Sequence, residues 1–187
     1  MILTGKEIEK QVSHKNIIIE PFDPSCINPN SYNYKLGDQI IELSRDVSLL
    51  NAMSQDDYQE IPKEGFLLKP GQVYLASTHE IIGSNKFVTS LIGRSSVGRL
   101  GLYLQISADL GNLGPAHKWT LELVCVQPIK VYPRMKVGQV SFWKPYGDIN
   151  EYNGQYTSYH KPQICLFDSL HKIGSDTLDN KMRGNDA

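Results

Sequence analysis

The chain has 187 residues, a formal net charge of -1 at pH 7 and a hydrophobic fraction of 40%, which is enough for one domain with a buried core. The balanced charge excludes an overall basic field that would attract nucleic acid or a membrane surface, so an anion must be bound by a local cluster. No apolar run is long enough to cross a bilayer, and residues 1–6 lack the basic-then-apolar pattern of a secretory signal. We therefore expect a cytoplasmic protein.

The cysteine and histidine residues do not suggest a metal site. The three cysteines, Cys26, Cys125 and Cys165, are odd in number and far apart, which argues against a disulfide framework. The His-x-Glu and Pro-Cys-x-x-Cys motifs of the zinc-dependent nucleobase deaminases do not occur, and the five histidines show no metal-binding spacing. The sequence therefore predicts a protein without zinc.

Short elements separated by turn residues follow one another along the chain. A helix is predicted at residues 4–12, because Thr4 is a suitable N-cap and Ile8 and Val12 share one face. The polar span 44–60 is predicted to be a loop or an insertion. Residues 24–37 are predicted to form a Pro/Asn/Ser turn that leads into an alternating strand. Further alternating or β-branched runs predict strands at 16–20, 39–43, 87–92, 103–107, 119–126 and 139–143, and a strand, a Pro-Gly turn and a second strand at 65–78.

This pattern of many short strands and few helices is typical of a mainly β fold. An all-β barrel or jelly roll with small helical caps fits it best. We expect a single domain over residues 1–174. The remaining residues, 175–187, are polar and charged, and we expect them to form a flexible tail.

The segment from Ile92 to Leu102 is the most informative part of the sequence. Between apolar flanks it holds two arginines, two adjacent serines and three glycines. Arginine offers planar, multidentate donors that suit phosphate, serine adds a short hydroxyl donor, and glycine lets the backbone approach a ligand closely. The composition indicates an anion site. The alternative is a solvated loop whose arginines form surface ion pairs.

The order of these residues, Gly-Arg-Ser-Ser-x-x-Arg-Leu-Gly-Leu, resembles the signature segment of the dCTP deaminases, the trimeric relatives of the dUTPases. Segments at 27–37, 68–78 and 131–142 resemble other motifs of that family, with Asn33 in place of the usual Asp and Arg134 in place of Gly. The resemblance covers roughly residues 1–160. It implies a dUTPase-like distorted β-barrel that forms a homotrimer, with nucleotide sites at the subunit interfaces.

Glu122 lies in an otherwise apolar strand, Thr120-Leu-Glu-Leu-Val124. From the residues alone it is either a surface group on a half-exposed strand or an inward-facing functional group. The family presents its catalytic glutamate in the same way, so the resemblance implies that Glu122 is the general base and acid that activates water and protonates the departing ammonia. It also implies that Ser95 and Arg99 position the base and the water, and that Arg94 and Ser96 hold phosphates.

The resemblance extends to a set of substrate contacts. It places the backbone of Ile106, Ser107 and Ala108 along the base, and a segment near 150–165 over the nucleotide. Gln139 is either a sugar or base contact or a structural amide. In the covering segment the family's Lys and Gln are replaced by Gln155 and Tyr159, so packing is the alternative there. The remaining binding candidates are Asn112, Tyr156, Lys161 and Gln163.

These assignments predict zinc-independent deamination of dCTP to dUTP and ammonia, with Mg²⁺ carried by the nucleotide phosphates. A dUTPase-like diphosphatase is the first alternative. Asn112 stands at the position of the family's aspartate and cannot act as a base, although the nearby Asp109 could compensate. The second alternative is a nucleotide-binding regulator without turnover. The lost lysine leaves a mono- or diphosphate, or a modified nucleotide, open as the substrate.

Overall fold

A computed structural model describes residues 1–43, 58–104, 108–114, 116–154 and 160–164 of the chain. The predicted tail at 175–187 and most of the predicted loop at 44–60 lie outside these ranges. The helices are α1 (Gly5–Ser13) and α2 (Ser95–Gly98), with a 3₁₀ turn at Pro24–Cys26. The strands are β1 (Ile18–Glu20), β2 (Tyr32–Glu42), β3 (Gln59–Glu60), β4 (Phe66–Leu68), β5 (Val73–Thr78), β6 (Ile81–Gly83), β7 (Val88–Gly93), β8 (Leu102–Leu104), β9 (Thr120–Cys125), β10 (Ile129–Val131) and β11 (Lys136–Trp143).

The main sheet is antiparallel and has the strand order β7-β11-β2-β5-β9-β8, with β3 added to β2. Its two edges come together where Gly93 at the end of β7 lies against Leu104 of β8. The sheet is therefore nearly closed into a barrel. This confirms the predicted mainly β, barrel-like fold. None of the helices in the described ranges is long and apolar enough to cross a membrane.

The two faces of β9 have different surroundings. Leu121, Leu123 and Cys125 are buried in the main core, inside the barrel. The alternate residues, Thr120 and Glu122 among them, are half-buried on the opposite face, which we call the outer face. The sequence pattern of β9 thus directs its carboxylate away from the main core.

A second, smaller apolar cluster lies on the outer face. Its buried members are Ile41 of β2, Leu75 of β5 and Ile164, and the partly buried Leu43 and Tyr58 pack against them. Ile41 and Leu75 are directly opposite each other in the sheet. The outer face is therefore partly covered, and the residue that covers it comes from near the end of the described chain.

Most predicted elements are present, with some differences. The Thr4 hydroxyl caps α1 by accepting a hydrogen bond from the backbone N–H of Glu7, and Ile8 is fully buried, as predicted. The strands within 65–78 exist, but they do not form a hairpin, because β4 pairs with β10 and β5 pairs with β2 and β9. Part of the predicted loop at 44–60 is strand β3. The strands β6 and β10 and the helix α2, each of three or four residues, were not predicted.

Candidate active site

The signature segment forms a tight connection between β7 and β8. Arg94 ends the strand as the N-cap of α2, and its carbonyl accepts hydrogen bonds from the backbone of Val97 and Gly98. Val97 is only 7% exposed and anchors the turn to the core. Gly101, with a φ of 85°, lets the chain reverse into β8. We call residues 94–99 the arginine turn.

The polar side chains of the arginine turn face solvent. Ser95, Ser96 and Arg99 are exposed, and Arg94 is half-buried. Over the described ranges of the chain, the ion pairs are Lys10–Glu7, Lys35–Asp23 and Arg134–Asp38, so neither guanidinium of the turn is paired. This argues against surface ion pairing as the role of the two arginines. It leaves their donors available to an anionic ligand.

Tyr34 supports the strand that leads into the arginine turn. Its hydroxyl donates to the carbonyl of Ile92 at 3.1 Å, and burial raises the pKa of this tyrosine above its ordinary value. The ring passes directly over Gly138 of β11, where a Cβ atom would overlap it. Glycine at this position therefore allows Tyr34 to fix the end of β7.

Gln139 lies beside the arginine turn, because it is directly opposite Ile92 in the pairing of β11 with β7. Its side-chain Nε2 donates to Oδ1 of Asn33 at 3.4 Å, and Nδ2 of Asn33 donates to Asn28 at 3.2 Å. The side chain thus belongs to a chain of amides within the sheet. Its position next to the turn keeps a substrate contact possible, and both sequence interpretations remain consistent with its geometry.

Glu122 lies in the middle of β9, and the segment that follows the arginine turn is bonded just beyond the C-terminal end of that strand. The carbonyl of Gly101 accepts from the backbone N–H of Val126 at 3.0 Å, and the carbonyl of Leu100 accepts from the Gln127 side chain at 2.8 Å. Val126 is four residues beyond Glu122, a separation of roughly 13 Å along an extended strand. One chain therefore holds the arginine turn next to Gln139 and joins the segment after the turn to Val126, four residues beyond Glu122.

The loop before β9 runs along the free edge of β7. The carbonyl of Asp109 accepts from the backbone of Leu91 at 2.8 Å, and its carboxylate accepts from the Ser90 hydroxyl at 3.1 Å. Ala108 and Asn112 in this loop are exposed. Ile106 and Ser107 lie outside the described residues. A carboxylate is thus held three positions before the exposed Asn112.

Residues 160–164 form a short strap across the outer face. The backbone N–H of Gln163 donates to the Thr120 hydroxyl at 2.9 Å. Gln163 is only 8% exposed, and its Nε2 has no hydrogen-bond partner in the described ranges. Lys161 is exposed. Tyr156 lies outside the described residues. The strap borders an open crevice of about 310 Å³ whose lining residues are Asp38, Gln39, Glu60, Ser77, Lys118, His160 and Lys161.

Two residues that touch the strap have no direct signal in the sequence. Tyr58 lies in the span predicted to be a loop, and Thr120 is distinguished only by its place in the alternation of β9. Both roles depend on long-range contacts. Thr120 and Gln163 are 43 positions apart in the chain, and Tyr58 and Pro162 are 104 positions apart. The hydroxyl that Thr120 places on the face of Glu122 was the one available signal.

Comparison with known proteins identifies the family. A family model described as dCTP deaminase-like matches residues 2–145. A protein of Clostridium beijerinckii named "dCTP deaminase, dUMP-forming" is 44% identical over 83% of this chain and 90% of its own length. A "dCTP deaminase" of Rhodopirellula baltica is 43% identical over 97% of this chain and 91% of its own length.

A solved structure supports the fold independently. The crystal structure of 2'-deoxycytidine 5'-triphosphate deaminase from Agrobacterium tumefaciens superimposes with a TM-score of 0.62 at 19% identity. The match covers 80% of this chain and 50% of the Agrobacterium tumefaciens chain. At this identity the similarity establishes the barrel fold. Together with the match to the family model and the relatives above 40% identity, it confirms the predicted family: the chain belongs to the dCTP deaminase-like proteins.

Proposed function

We propose that this chain catalyses the zinc-independent hydrolytic deamination of dCTP to dUTP and ammonia, with Glu122 as the general base and acid. The observation that carries the proposal is the position of Glu122 in a chain of this family. It is half-buried on the outer face, directly opposite the apolar Leu75 and next to the strap. A carboxylate at the boundary between an apolar wall and solvent suits proton transfer to and from water.

The reaction needs one water and one carboxylate that changes its protonation state. The Glu122 carboxylate takes a proton from water as the oxygen bonds to C4 of the cytosine ring. It then gives that proton to the amino group as the C4–N bond breaks and ammonia leaves, and the proton of the new C4 hydroxyl moves to ring N3, which gives the uracil of dUTP. The donors of Ser95 and Arg99 position the base and the attacking water, and those of Arg94 and Ser96 contact the phosphates.

We propose further that the working site forms between chains of a homotrimer. The support is that Gly101, two residues after the arginine turn, is bonded to Val126, four residues beyond Glu122. Ser95 and Arg99 are exposed and free to meet the Glu122 of a neighbour. A closed ring of three copies would supply each site with both halves.

Release of dUMP instead of dUTP is a second candidate. It is favoured by the names of relatives such as the C. beijerinckii protein, which are called dUMP-forming. Such a reaction needs a further water to attack the phosphate chain and a group to accept its proton. Asn112 cannot accept one. Asp109, held by Ser90 in the same loop, offers a carboxylate nearby.

Mg²⁺ belongs to this proposal as an ion that arrives with the nucleotide and neutralises part of the phosphate charge. Within the described ranges, no three His, Cys, Asp or Glu side chains are grouped as a metal site, so the phosphates would provide its main ligands. The cytoplasmic location, and the absence of nucleic-acid and membrane partners, remain predictions from the sequence.

Incubation of the purified protein with Mg²⁺ and, separately, dCTP, dUTP, dCMP and CTP tests the proposed reaction. We expect ammonia from dCTP, and chromatography of the products identifies dUTP or dUMP. Pyrophosphate without ammonia would support a diphosphatase and contradict the deaminase. Tight nucleotide binding with no product from any of the four would support the regulator considered from the sequence.

Mixing two inactive variants tests the shared site. Glu122→Gln and Arg99→Ala each remove one half of the site, and mixed trimers would contain sites in which both halves are native. Random exchange at equal amounts gives about one quarter of the sites in that state. Recovery of activity after joint unfolding and refolding supports a site between chains. If activity does not return although the trimers have mixed, each chain holds its own complete site.

A further inference from the structure

The strap is fastened to the barrel on both sides of Gln163. On one side, the hydroxyl of Tyr58 donates to the carbonyl of Pro162 at 2.8 Å. On the other, Ile164 is buried against Ile41 and Leu75. Between these points, the backbone N–H of Gln163 donates to the hydroxyl of Thr120. These contacts hold the strap against the barrel through residues of β2, β5 and β9 and through Tyr58.

The contact with Thr120 connects the strap directly to the strand of the proposed catalytic residue. Thr120 and Glu122 lie on the same face of β9, two residues and therefore about 7 Å apart. Leu75, on which Ile164 packs, is directly opposite Glu122 in the sheet. The strap thus crosses the outer face immediately beside Glu122.

The contact with Tyr58 involves two neighbouring strap residues. Besides the hydrogen bond to Pro162, the Lys161 ammonium lies 5.4 Å from the centre of the Tyr58 ring, within the range of a cation–π contact. Tyr58 itself packs on the small apolar cluster of the outer face. Tyr58 therefore contacts two consecutive strap residues, Lys161 and Pro162, immediately before Gln163.

The side chain of Gln163 contrasts with these satisfied contacts. Its backbone N–H is bonded, whereas its buried Nε2 has no partner in the described ranges. A buried amide group without a hydrogen bond is unfavourable and needs support from its surroundings. The fastened strap supplies that support and keeps a free donor beside the strand of Glu122.

We infer that Tyr58 and Thr120 are positioning residues that hold the strap over the outer face before nucleotide binds, so that the Gln163 amide is already placed for the substrate. The inference rests on the proposed function for the identity of the ligand. Neither residue touches the reacting atoms. Fixing the strap in advance lowers the ordering cost that nucleotide binding must overcome, so the benefit is a lower KM, and kcat is unaffected.

Hydrogen exchange in the nucleotide-free protein tests the fastening itself. Thr120→Val keeps the shape of the side chain and removes the acceptor, and Tyr58→Phe removes only the donor hydroxyl. We expect both variants to exchange the strap amides faster than the native chain. Tyr132→Phe, on an exposed tyrosine at the end of β10, is the matched control and should leave strap exchange unchanged. Equal exchange in all four proteins would overturn the inference.

Steady-state kinetics with dCTP test the consequence. Thr120→Val and Tyr58→Phe should each raise KM about 2- to 12-fold, the effect of one ordinary hydrogen bond, with kcat unchanged. Thr120→Ser keeps the hydroxyl and should restore the native KM. A fall in kcat with native KM, or failure of serine to rescue, would overturn a positioning role.

The affinity for nucleotide separates failure of this inference from failure of the proposed reaction. With Glu122→Gln as the background, dCTP binding is measured by calorimetry with and without Thr120→Val. A weaker affinity in the double variant supports the inference even if the native chain releases no ammonia. An unchanged affinity contradicts it, whatever reaction the native chain performs.

Discussion

The arginine turn and the strap-covered outer face are two parts of one proposed site that are built differently. The turn is a local structure, held by backbone hydrogen bonds within residues 94–101 and by the burial of Val97. The outer face is built from β2, β5 and β9 with a strap from a distant part of the chain. The turn exposes its donors, and the face encloses its carboxylate.

This difference assigns different tasks to the two regions. The guanidinium groups of the exposed Arg99 and the half-buried Arg94, which form no ion pair in the described ranges, can bind an anion that arrives from solvent or from a neighbouring chain. A half-buried carboxylate beside apolar side chains and a strap is suited to proton transfer with limited access of bulk water. Substitution of the phosphate contacts Arg94 and Ser96 should therefore reduce binding, and substitution of the carboxylate should reduce turnover.

Glu122→Gln should have the largest effect. We expect kcat for ammonia release to fall about 10²- to 10⁴-fold, because glutamine cannot transfer the proton, while dCTP affinity measured by calorimetry stays near native. Glu64→Gln, on an exposed loop, is the matched control and should be silent. Substantial deamination by Glu122→Gln would remove this residue from the mechanism.

Arg94→Ala should weaken nucleotide binding by about 1.5–3 kcal/mol, the range for a hydrogen bond to a charged group. Because the lost contact is with phosphate, deoxycytidine, which has no phosphates, should bind both proteins equally. Lys63→Ala removes an exposed positive charge elsewhere and serves as the control. If the affinity for the nucleoside fell as much as that for dCTP, the turn would not be a phosphate site.

Val97→Ala should destabilise the fold by about 1–3 kcal/mol, because it removes buried methyl groups from the residue that anchors the arginine turn. Leu100→Ala, at a side chain that is 59% exposed in the same segment, should cost little. Urea unfolding of both variants measures the difference. Equal losses would show that the core does not hold the turn at Val97.

Glu80→Gln should have the smallest effect, visible only as a change in pH dependence. Glu80 is fully buried after β5, and its Oε2 accepts from the backbone N–H of Lys35. Burial raises the pKa of Glu80 above its ordinary value. The protonated carboxyl is therefore favoured in the folded state. Its contribution to stability is fully present below the ordinary pKa of the unfolded chain and is lost as the pH rises through the raised pKa of the folded chain.

The glutamine variant has no such proton, so its free energy of unfolding should change less with pH across that interval. Thermal unfolding of both proteins between acidic and neutral pH measures it. Parallel curves would mean that Glu80 titrates normally in the folded chain.

The sequence predicted best what depends on neighbours in the chain. The alternation of β9 separated the face of Thr120 and Glu122 from the face of Leu121 and Leu123, which the structure buries in the core, and the contiguous signature led to the confirmed family. Elements of three or four residues, such as β6 and α2, are too short to show a period and depend on tertiary contacts. The roles of Tyr58 and Thr120 depend on where the strap lies, which no local pattern records.

The close passage of Tyr34 over Gly138 also bears on how mutational scans of this protein should be interpreted. Any side chain at Gly138 would displace the tyrosine ring and with it the hydroxyl that holds the Ile92 carbonyl. The disturbance would pass along the end of β7 into the arginine turn. Gly138 has no reactive group of its own. Its replacement should nevertheless impair catalysis as strongly as the loss of an active-site residue would.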